Sequence, residues 1–68
     1  MNQLKLRQVR IKRSWTLEYV GKQVGISKQA VRDIEIGKIK PSYDVLLKIC
    51  KLFGVEHEDV EELFKKAI

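Results

Sequence analysis

The stretch that decides the fold is TLEYVGKQVGISKQAVRDIEIG, which occupies residues 16–37 of a 68-residue chain. It predicts two short helices, because Thr16 and Ser27 are each placed to cap a helix N-terminus. Gly25 marks the turn between them, and Gly37 supplies the left-handed residue that ends the second helix. Helices joined by so short a turn cannot lie antiparallel, so the stretch predicts a steeply crossed helical pair.

Gly21 lies inside the first of these helices, where glycine costs about 1 kcal/mol relative to alanine. Because Gly21 lies shortly before Gly25, we expect the second helix to pass close to the first helix at Gly21. We expect a Gly21→Ala variant to be stabilised if the crossing leaves room for a methyl group. These features describe a helix-turn-helix over about residues 16–36, the unit that lays its second helix in the major groove of DNA.

The remaining sequence predicts three more helices and no strand. The first follows Asn2 as a cap and has the Lys, Arg, Gln and Leu content that favours a helix. The fourth begins after Pro41 and Ser42 and ends at Gly54. The fifth carries acids early and lysines late, which is the order that the helix dipole favours. The predicted fold is therefore all-α, a compact bundle of five short helices that forms a single domain over residues 1–68.

Composition excludes several classes of protein. Hydrophobic residues make up 44% of the chain, too many for a disordered tail. No apolar run approaches the roughly 18 residues that a membrane-spanning helix needs. Cys50 and His57 are the only cysteine and the only histidine, which leaves no internal disulfide, no metal set and no catalytic triad. We therefore expect a cytoplasmic protein that is not an enzyme and needs no metal, cofactor, small-molecule ligand or membrane.

Charge is distributed unevenly along the chain. Residues 1–40 contain ten Lys and Arg and three Asp and Glu, a net charge of +7. Residues 41–68 contain four basic and six acidic residues, a net charge of −2. This polarity predicts that the first part of the chain faces a polyanion, although a soluble surface with uneven charge would look similar.

An ordered set of short motifs runs along almost the whole chain. The motifs are Leu6-x-x-Val9-Arg10, Trp15-Thr16, Val20-Gly21-x-x-Val24-Gly25-Ile26-Ser27, Val31-x-x-Ile34-Glu35-x-Gly37-Lys38, Pro41-Ser42, Leu46-Leu47-x-Ile49-Cys50-x-x-Phe53-Gly54-Val55 and Val60. This set resembles the lambda-repressor-like, Cro/cI-type (XRE) family of DNA-binding domains. Each short piece is a weak signal alone, whereas the set at family spacing is a strong signal for the fold.

The resemblance implies roles for two groups of side chains. The exposed face of the second helix of the pair would read base edges, with Gln29 suited to adenine and with Lys28 and Arg32 suited to guanine or phosphate. A second group, together with the backbone amides after Gly37, would hold the sugar-phosphate backbone. The base-reading residues are Ser27, Lys28, Gln29, Arg32 and Asp33, and the phosphate-binding residues are Thr16, Lys38, Lys40, Tyr43 and Arg10.

Acidic neighbours leave the roles of two arginines open. The resemblance implies an internal ion pair between Arg10 and Glu35, which would tie the first helix to the third. Losing one member of such a pair costs more than losing both. Arg32 could pair with Asp33, with Glu35 or with a DNA phosphate.

Three positions depart from the family pattern. Leu17 stands where many members have a glutamine, Ile36 replaces the usual asparagine, and Ile39 adds a second apolar residue to the loop. Together these residues could form an apolar patch. They keep open the alternative of a protein-interaction module that has lost DNA binding.

We predict a sequence-specific, double-stranded-DNA-binding transcriptional regulator, a repressor that binds a palindromic operator as a homodimer. The dimer surface would lie on the fifth helix at Val60, Phe64 and Ile68, although a role in the core alone stays open for these residues. A DNA-binding antitoxin or controller protein with a cognate protein partner is the alternative within the regulators.

Overall fold

The computed structural model describes residues 3–67, in which five helices pack around one core. The predicted all-α class and the predicted order of the helices are confirmed. Two short strands pair with each other and are not visible in the sequence, because two residues carry no alternation that could reveal a strand. The elements in chain order are β1 (Gln3–Leu4), α1 (Lys5–Lys12), α2 (Leu17–Val24), α3 (Lys28–Glu35), α4 (Tyr43–Phe53), a 3₁₀ helix (His57–Phe64) and β2 (Lys66–Ala67).

Hydroxyl side chains cap three of the helices; two of these caps, Thr16 and Ser27, are predicted as caps from the sequence. The oxygen of each cap accepts a hydrogen bond from a backbone N–H in the first turn, which satisfies one of the donors left open at a helix N-terminus. The hydrogen bonds run from Tyr19 N to Thr16 Oγ1 (2.9 Å), from Ala30 N to Ser27 Oγ (3.1 Å) and from Val45 N to Ser42 Oγ (3.3 Å).

Gly21 is buried in α2, against the turn that leads into α3. A Cβ added to this residue would lie 2.6 Å from the backbone oxygen of Ile26 and 3.3 Å from the backbone nitrogen of Lys28. The oxygen belongs to the turn itself and cannot rotate away as the end of a side chain would. The expectation that Gly21→Ala stabilises the domain is therefore wrong, because the crossing leaves no room for a methyl group.

The turn that follows the first helix contains a left-handed residue that is not glycine. Ser14 has a φ of 60°. Its N–H donates to the carbonyl of Ile11 at 2.9 Å, and the N–H of Trp15 donates to the carbonyl of Arg10 at 3.1 Å, the double hydrogen bond of a Schellman motif. The turn brings Trp15 back over the core, where its ring makes a T-shaped contact with Phe53 at 5.4 Å between centroids.

One hydrophobic core takes residues from every helix. Val31 and Phe53 belong to it and Trp15 packs against it. Cys50 is also buried there, and desolvation raises the pKa of its thiol, which keeps the sulfur protonated. The buried apolar residues are Leu4, Leu6, Val20, Val24, Val31, Ile34, Ile49, Cys50, Phe53, Val60 and Leu63.

The last helix is of the 3₁₀ type, with about three residues per turn, so its buried face recurs at every third residue. Val60 and Leu63 both lie in the core, at 5% and 6% exposure. Val60 has almost no surface to offer a partner, and we withdraw it from the predicted dimer surface. Phe64 is partly buried against the core, and Ile68 lies outside the described residues.

The two ends of the described chain are held together. The strands pair antiparallel, with Leu4 opposite Lys66, and the N–H of Lys5 donates to the carbonyl of Lys65 at 2.9 Å. The carboxylate of Glu62 accepts from Lys65 Nζ at 2.9 Å and from Lys5 Nζ at 3.4 Å. These hydrogen bonds and charges, first those of Lys65 and then those of Lys5, lower the pKa of the Glu62 carboxyl.

Candidate nucleic-acid interface

A buried ion pair fixes α3 against α1. Arg10 Nε donates to Glu35 Oε2 at 2.7 Å and Arg10 Nη2 donates to Glu35 Oε1 at 3.1 Å, so the two planar groups meet in bidentate geometry. Arg10 Nη1 donates to the carbonyl of Trp15 at 2.7 Å. The structure thus contains the internal ion pair that the resemblance implies. Because the guanidinium is directed inward and is buried, we withdraw Arg10 from the phosphate-binding set.

The third helix separates a buried face from an exposed face. Its N-terminus is fixed by the Ser27 cap, and its inner side is fixed by the core and by the ion pair. The remaining side chains point to solvent, as they must if they are to contact a binding partner. The buried residues of α3 are Val31, Ile34 and Glu35; Ser27, Lys28, Gln29 and Arg32 are exposed, and Asp33 is partly exposed.

Four cations on α3 and on the loop after it have no carboxylate within ion-pair distance among residues 3–67. Arg32 has two acidic neighbours in sequence, but Glu35 is held by Arg10. Asp33 accepts a hydrogen bond from Gln29 Nε2 instead, at 3.4 Å. Uncompensated positive charge on one surface raises its potential and favours an anionic partner. The four cations are Lys28, Arg32, Lys38 and Lys40.

The loop after α3 folds back onto the helix through its backbone. Gly37, with a φ of 77°, donates its N–H to the carbonyl of Ile34 at 3.0 Å. The N–H groups of Lys38 and Ile39 both donate to the carbonyl of Asp33, at 2.8 and 3.3 Å. These three amides are used inside the protein, so the expectation that the loop amides after Gly37 hold phosphates is wrong for those of Lys38 and Ile39. The side chains of the two loop lysines remain exposed.

Two hydroxyl groups of the predicted phosphate-binding set lie at helix N-termini. Thr16 caps α2, and because its oxygen only accepts from Tyr19, its own proton is left for another acceptor. Tyr43 is the first residue of α4 and is 65% exposed, with its ring in edge contact with His57 at 5.8 Å between centroids. Both hydroxyls can therefore donate to an anion beside a helix N-terminus.

The three departures from the family pattern do not share one environment. Leu17 packs against the core. Ile36 and Ile39 are 38% and 43% exposed. The apolar surface that the sequence suggests is thus made by the loop, while Leu17 contributes to packing.

Sequence reasoning missed the role of Arg13. Its Nη2 donates to the carbonyl of Phe53 at 3.0 Å, and its guanidinium lies 5.1 Å from the centre of the Trp15 ring and 5.6 Å from that of Phe53. The cation therefore closes the C-terminal end of α4 and covers two core rings. No local pattern could reveal this contact, because the partners are distant in sequence.

Curated relatives of this chain are regulators of the helix-turn-helix type. A family model described as Helix-turn-helix matches residues 6–60. The chain is 39% identical over 56 residues to the "Uncharacterized HTH-type transcriptional regulator YgzD" of Bacillus subtilis. It is 41% identical over 56 residues to the "Uncharacterized HTH-type transcriptional regulator MJ0272" of Methanocaldococcus jannaschii. Each alignment covers 82% of this chain and 85% of the relative.

A solved structure shares the fold. The clp gene regulator ClgR from Corynebacterium glutamicum superposes with a TM-score of 0.73 at 24% sequence identity, over 84% of this chain and 61% of that chain. Within residues 3–67, no helix has the length and apolar content needed to cross a membrane. The family match, the two relatives and the geometry of α2 and α3 agree, and the chain belongs to the Cro/cI-type (XRE) family of helix-turn-helix transcriptional regulators.

Proposed function

We propose that this protein regulates transcription by binding double-stranded DNA in a sequence-specific way, with α3 in the major groove. The observation that carries the proposal is the outer face of α3, where Lys28, Gln29 and Arg32 are exposed. Lysine and arginine donate to guanine O6 and N7, and a glutamine amide matches adenine N6 and N7. Ser27 places the start of this face, because its cap fixes the first turn of the helix.

Phosphate contacts would set the position of α3 on the duplex. Lys38 and Lys40 follow α3 directly, and Thr16 and Tyr43 stand at helix N-termini. Contacts of this kind supply affinity and register without sequence information. In this proposal the side chains of the loop, and not its amides, face the sugar-phosphate backbone.

We further propose that the protein is a cytoplasmic repressor and that it binds a palindromic operator as a homodimer. One short helix reads a small number of base pairs, and two related copies on one face of the duplex would read half-sites about 34–36 Å apart. Occupying the operator excludes RNA polymerase without any chemistry, so the proposal needs no catalytic residue, cofactor or small-molecule ligand.

Phe64 remains as the described candidate for the dimer surface. It lines an apolar groove of about 270 Å³ between the loop and the 3₁₀ helix. A second groove of about 290 Å³ is also lined by Phe64 and includes exposed Ile39. Apolar surface of this kind is common where copies of a chain meet. The first groove is lined by Lys40, Pro41, Leu46, Val60, Glu61 and Phe64.

Selection of duplexes from a pool with a random central segment tests the proposal. We expect one preferred sequence, with two inverted half-sites, and binding that weakens by about 0.9 log unit per phosphate contact for each log unit of salt. Binding without sequence preference would contradict the base-reading role of α3. A preferred sequence without inverted symmetry, bound by one copy, would contradict the dimer alone.

A protein-interaction module without DNA binding is the second candidate. The observation in its favour is the exposure of Ile36 and Ile39 on the loop that follows α3. The same selection separates the two candidates, because the module would enrich no duplex at low salt. A regulator with a cognate protein partner, such as an antitoxin, would enrich a duplex and also bind its partner.

A further inference from the structure

Gln29 and Asp33 lie one helical turn apart on the exposed face of α3 and contact each other. Gln29 Nε2 donates to Asp33 Oδ1 at 3.4 Å. An ionised carboxylate accepts hydrogen bonds and donates none, so it can face only the nitrogen of an amide group. The chemistry of Asp33 therefore decides which way the Gln29 amide is turned.

Asp33 is itself held in place through its backbone. Its carbonyl accepts the N–H groups of both Lys38 and Ile39, at 2.8 and 3.3 Å. The next residue, Ile34, is buried in the core, and the side chain of Asp33 is only partly exposed. The acceptor that orients Gln29 thus stands on a fixed position, while Gln29 is exposed and its side chain is oriented by this hydrogen bond.

We propose that Asp33 is a positioning residue, which restricts the base that Gln29 reads to adenine; this inference rests on the proposed binding of α3 in the major groove. One N–H of Gln29 Nε2 is used by Asp33. The amide then offers one N–H and the Oε1 acceptor, which match adenine N7 and the adenine N6 amino group. Guanine presents two acceptors, N7 and O6, and would require both N–H groups of the amide.

This role differs from direct reading of a base by Asp33. A carboxylate that reads DNA itself accepts from the amino group of cytosine. In that case the base preference set by Asp33 would fall on its own base pair, and Gln29 would keep its preference when Asp33 is changed. The two roles are therefore separable by asking which base pair changes.

The test compares Asp33→Asn and Asp33→Glu with the unchanged protein on one selected duplex. The base pair read by Gln29 is identified as the one whose preference disappears in Gln29→Ala. We expect adenine there, and about a tenfold loss of adenine-over-guanine discrimination in Asp33→Asn, because an asparagine can present either an acceptor or a donor. Asp33→Glu retains a carboxylate, which accepts hydrogen bonds and cannot donate them. We expect this variant to keep the discrimination of adenine over guanine.

Discrimination is measured as the ratio of dissociation constants for duplexes that differ only at that base pair. The ratio removes the general gain in affinity expected when a negative charge near DNA is lost. Lys38→Ala serves as a control, because loss of a phosphate contact weakens both duplexes alike. The side-chain amide protons of Gln29, followed by NMR in the free protein, report the same hydrogen bond without DNA.

The positioning role is overturned if Asp33→Asn keeps the full discrimination of adenine over guanine. It is also overturned if the base preferred at the base pair read by Gln29 is guanine. Loss of discrimination in Asp33→Glu to the same extent as in Asp33→Asn also overturns it. If the pool yields no preferred duplex, the proposed function fails and this inference fails with it. A preferred duplex whose Gln29-dependent base ignores Asp33 leaves the proposed function intact and overturns only the inference.

Discussion

Arg10 and Glu35 pair with each other through two hydrogen bonds of 2.7 and 3.1 Å, and they are the buried charged residues of the described chain. The contact joins the first helix to the helix that reads DNA in our proposal. A third donor of Arg10 reaches the carbonyl of Trp15, so the turn after α1 depends on the same side chain. The orientation of α3 is therefore tied to the fold by charge as well as by apolar packing.

Removing one partner of this pair should be more harmful than removing both. Arg10→Met leaves the Glu35 carboxylate buried without a partner, and we expect a loss of about 3–5 kcal/mol in the free energy of unfolding. The double variant Arg10→Met, Glu35→Leu should lose less, because no charge is left in the core. Urea denaturation measures both, and a single variant more stable than the double variant would contradict this account.

Gly21→Ala should destabilise the domain by about 1–3 kcal/mol, the usual cost of forcing extra volume into a packed site. The cause is the 2.6 Å approach of the new methyl carbon to the Ile26 carbonyl oxygen. Thermal unfolding followed by circular dichroism is the measurement. Gln23→Ala, at an exposed position of the same helix, is the matched control and should change stability by less than about 0.5 kcal/mol. An unchanged or higher melting temperature in Gly21→Ala would show that the turn can move.

Ser14→Gly should stabilise the domain by about 1 kcal/mol. A residue with a Cβ costs roughly 1–2 kcal/mol in the left-handed region. Glycine avoids this cost, but its greater conformational freedom in the unfolded chain offsets part of the gain. Ser14 has a φ of 60° and lies in the turn that follows α1. Ser14→Ala retains the Cβ and is expected to show no such gain, which makes it the control in the same unfolding experiment. Equal stability of the glycine and alanine variants would argue against strain at this position.

Lys38→Ala and Gln29→Ala should affect DNA binding in different ways. Lys38→Ala is expected to weaken binding to all duplexes and to reduce the salt slope by about one, because a phosphate contact is lost. Gln29→Ala is expected to weaken the preferred duplex by about 1–3 kcal/mol and to blur one base pair while leaving the salt slope unchanged. Titrations at several salt concentrations give both quantities. The assignment of roles is wrong if the two variants behave alike.

The junction of the two ends should respond to acid through Glu62. Its pKa is lowered in the folded protein by Lys65 and then by Lys5, so the stability it contributes is present above the ordinary carboxyl pKa of 4.5. That contribution is lost as the pH falls through the lower folded pKa, because the protonated carboxyl no longer pairs with either lysine. Glu62→Gln should therefore be less stable than the unchanged protein at neutral pH and equal to it in strong acid. A gap that is the same at both pH values would exclude the ion pairs as its cause.

The boundaries of α2 and α3 and the start of α4 are predictable from the sequence because they depend on local chemistry. Thr16, Ser27 and Ser42 accept hydrogen bonds from amides one turn away, and Gly25 and Gly37 adopt the left-handed φ that their positions require. Contacts between residues that are distant in sequence are not predictable in this way. The lack of room for a Cβ at Gly21 depends on how closely the backbone of the following turn approaches this residue. A pattern of residue types does not contain the distance between Gly21 and that turn.

In the candidate site, too, the features set by local sequence are predictable and the contacts between distant residues are not. The exposed face of α3 follows from the helical spacing of Val31 and Ile34, which turns the polar residues outward. The contact of Arg13 with Phe53 depends instead on how α1 meets the end of α4. The 3₁₀ geometry of the last helix also escaped prediction, because residues suited to an α-helix are found in it, and this geometry decides that Val60 and Leu63 are buried together.

The carbonyl of Asp33, which accepts from both Lys38 and Ile39, ties the following loop to the end of α3 through the backbone. In our proposal, the backbone positions of the residues that touch base edges and of those that touch the backbone of the duplex are then held at a set distance. The width of the groove must fit that distance, and a duplex that does not fit must be deformed at a cost that depends on its stiffness. Under that proposal, we expect preferences at base pairs that no side chain reaches.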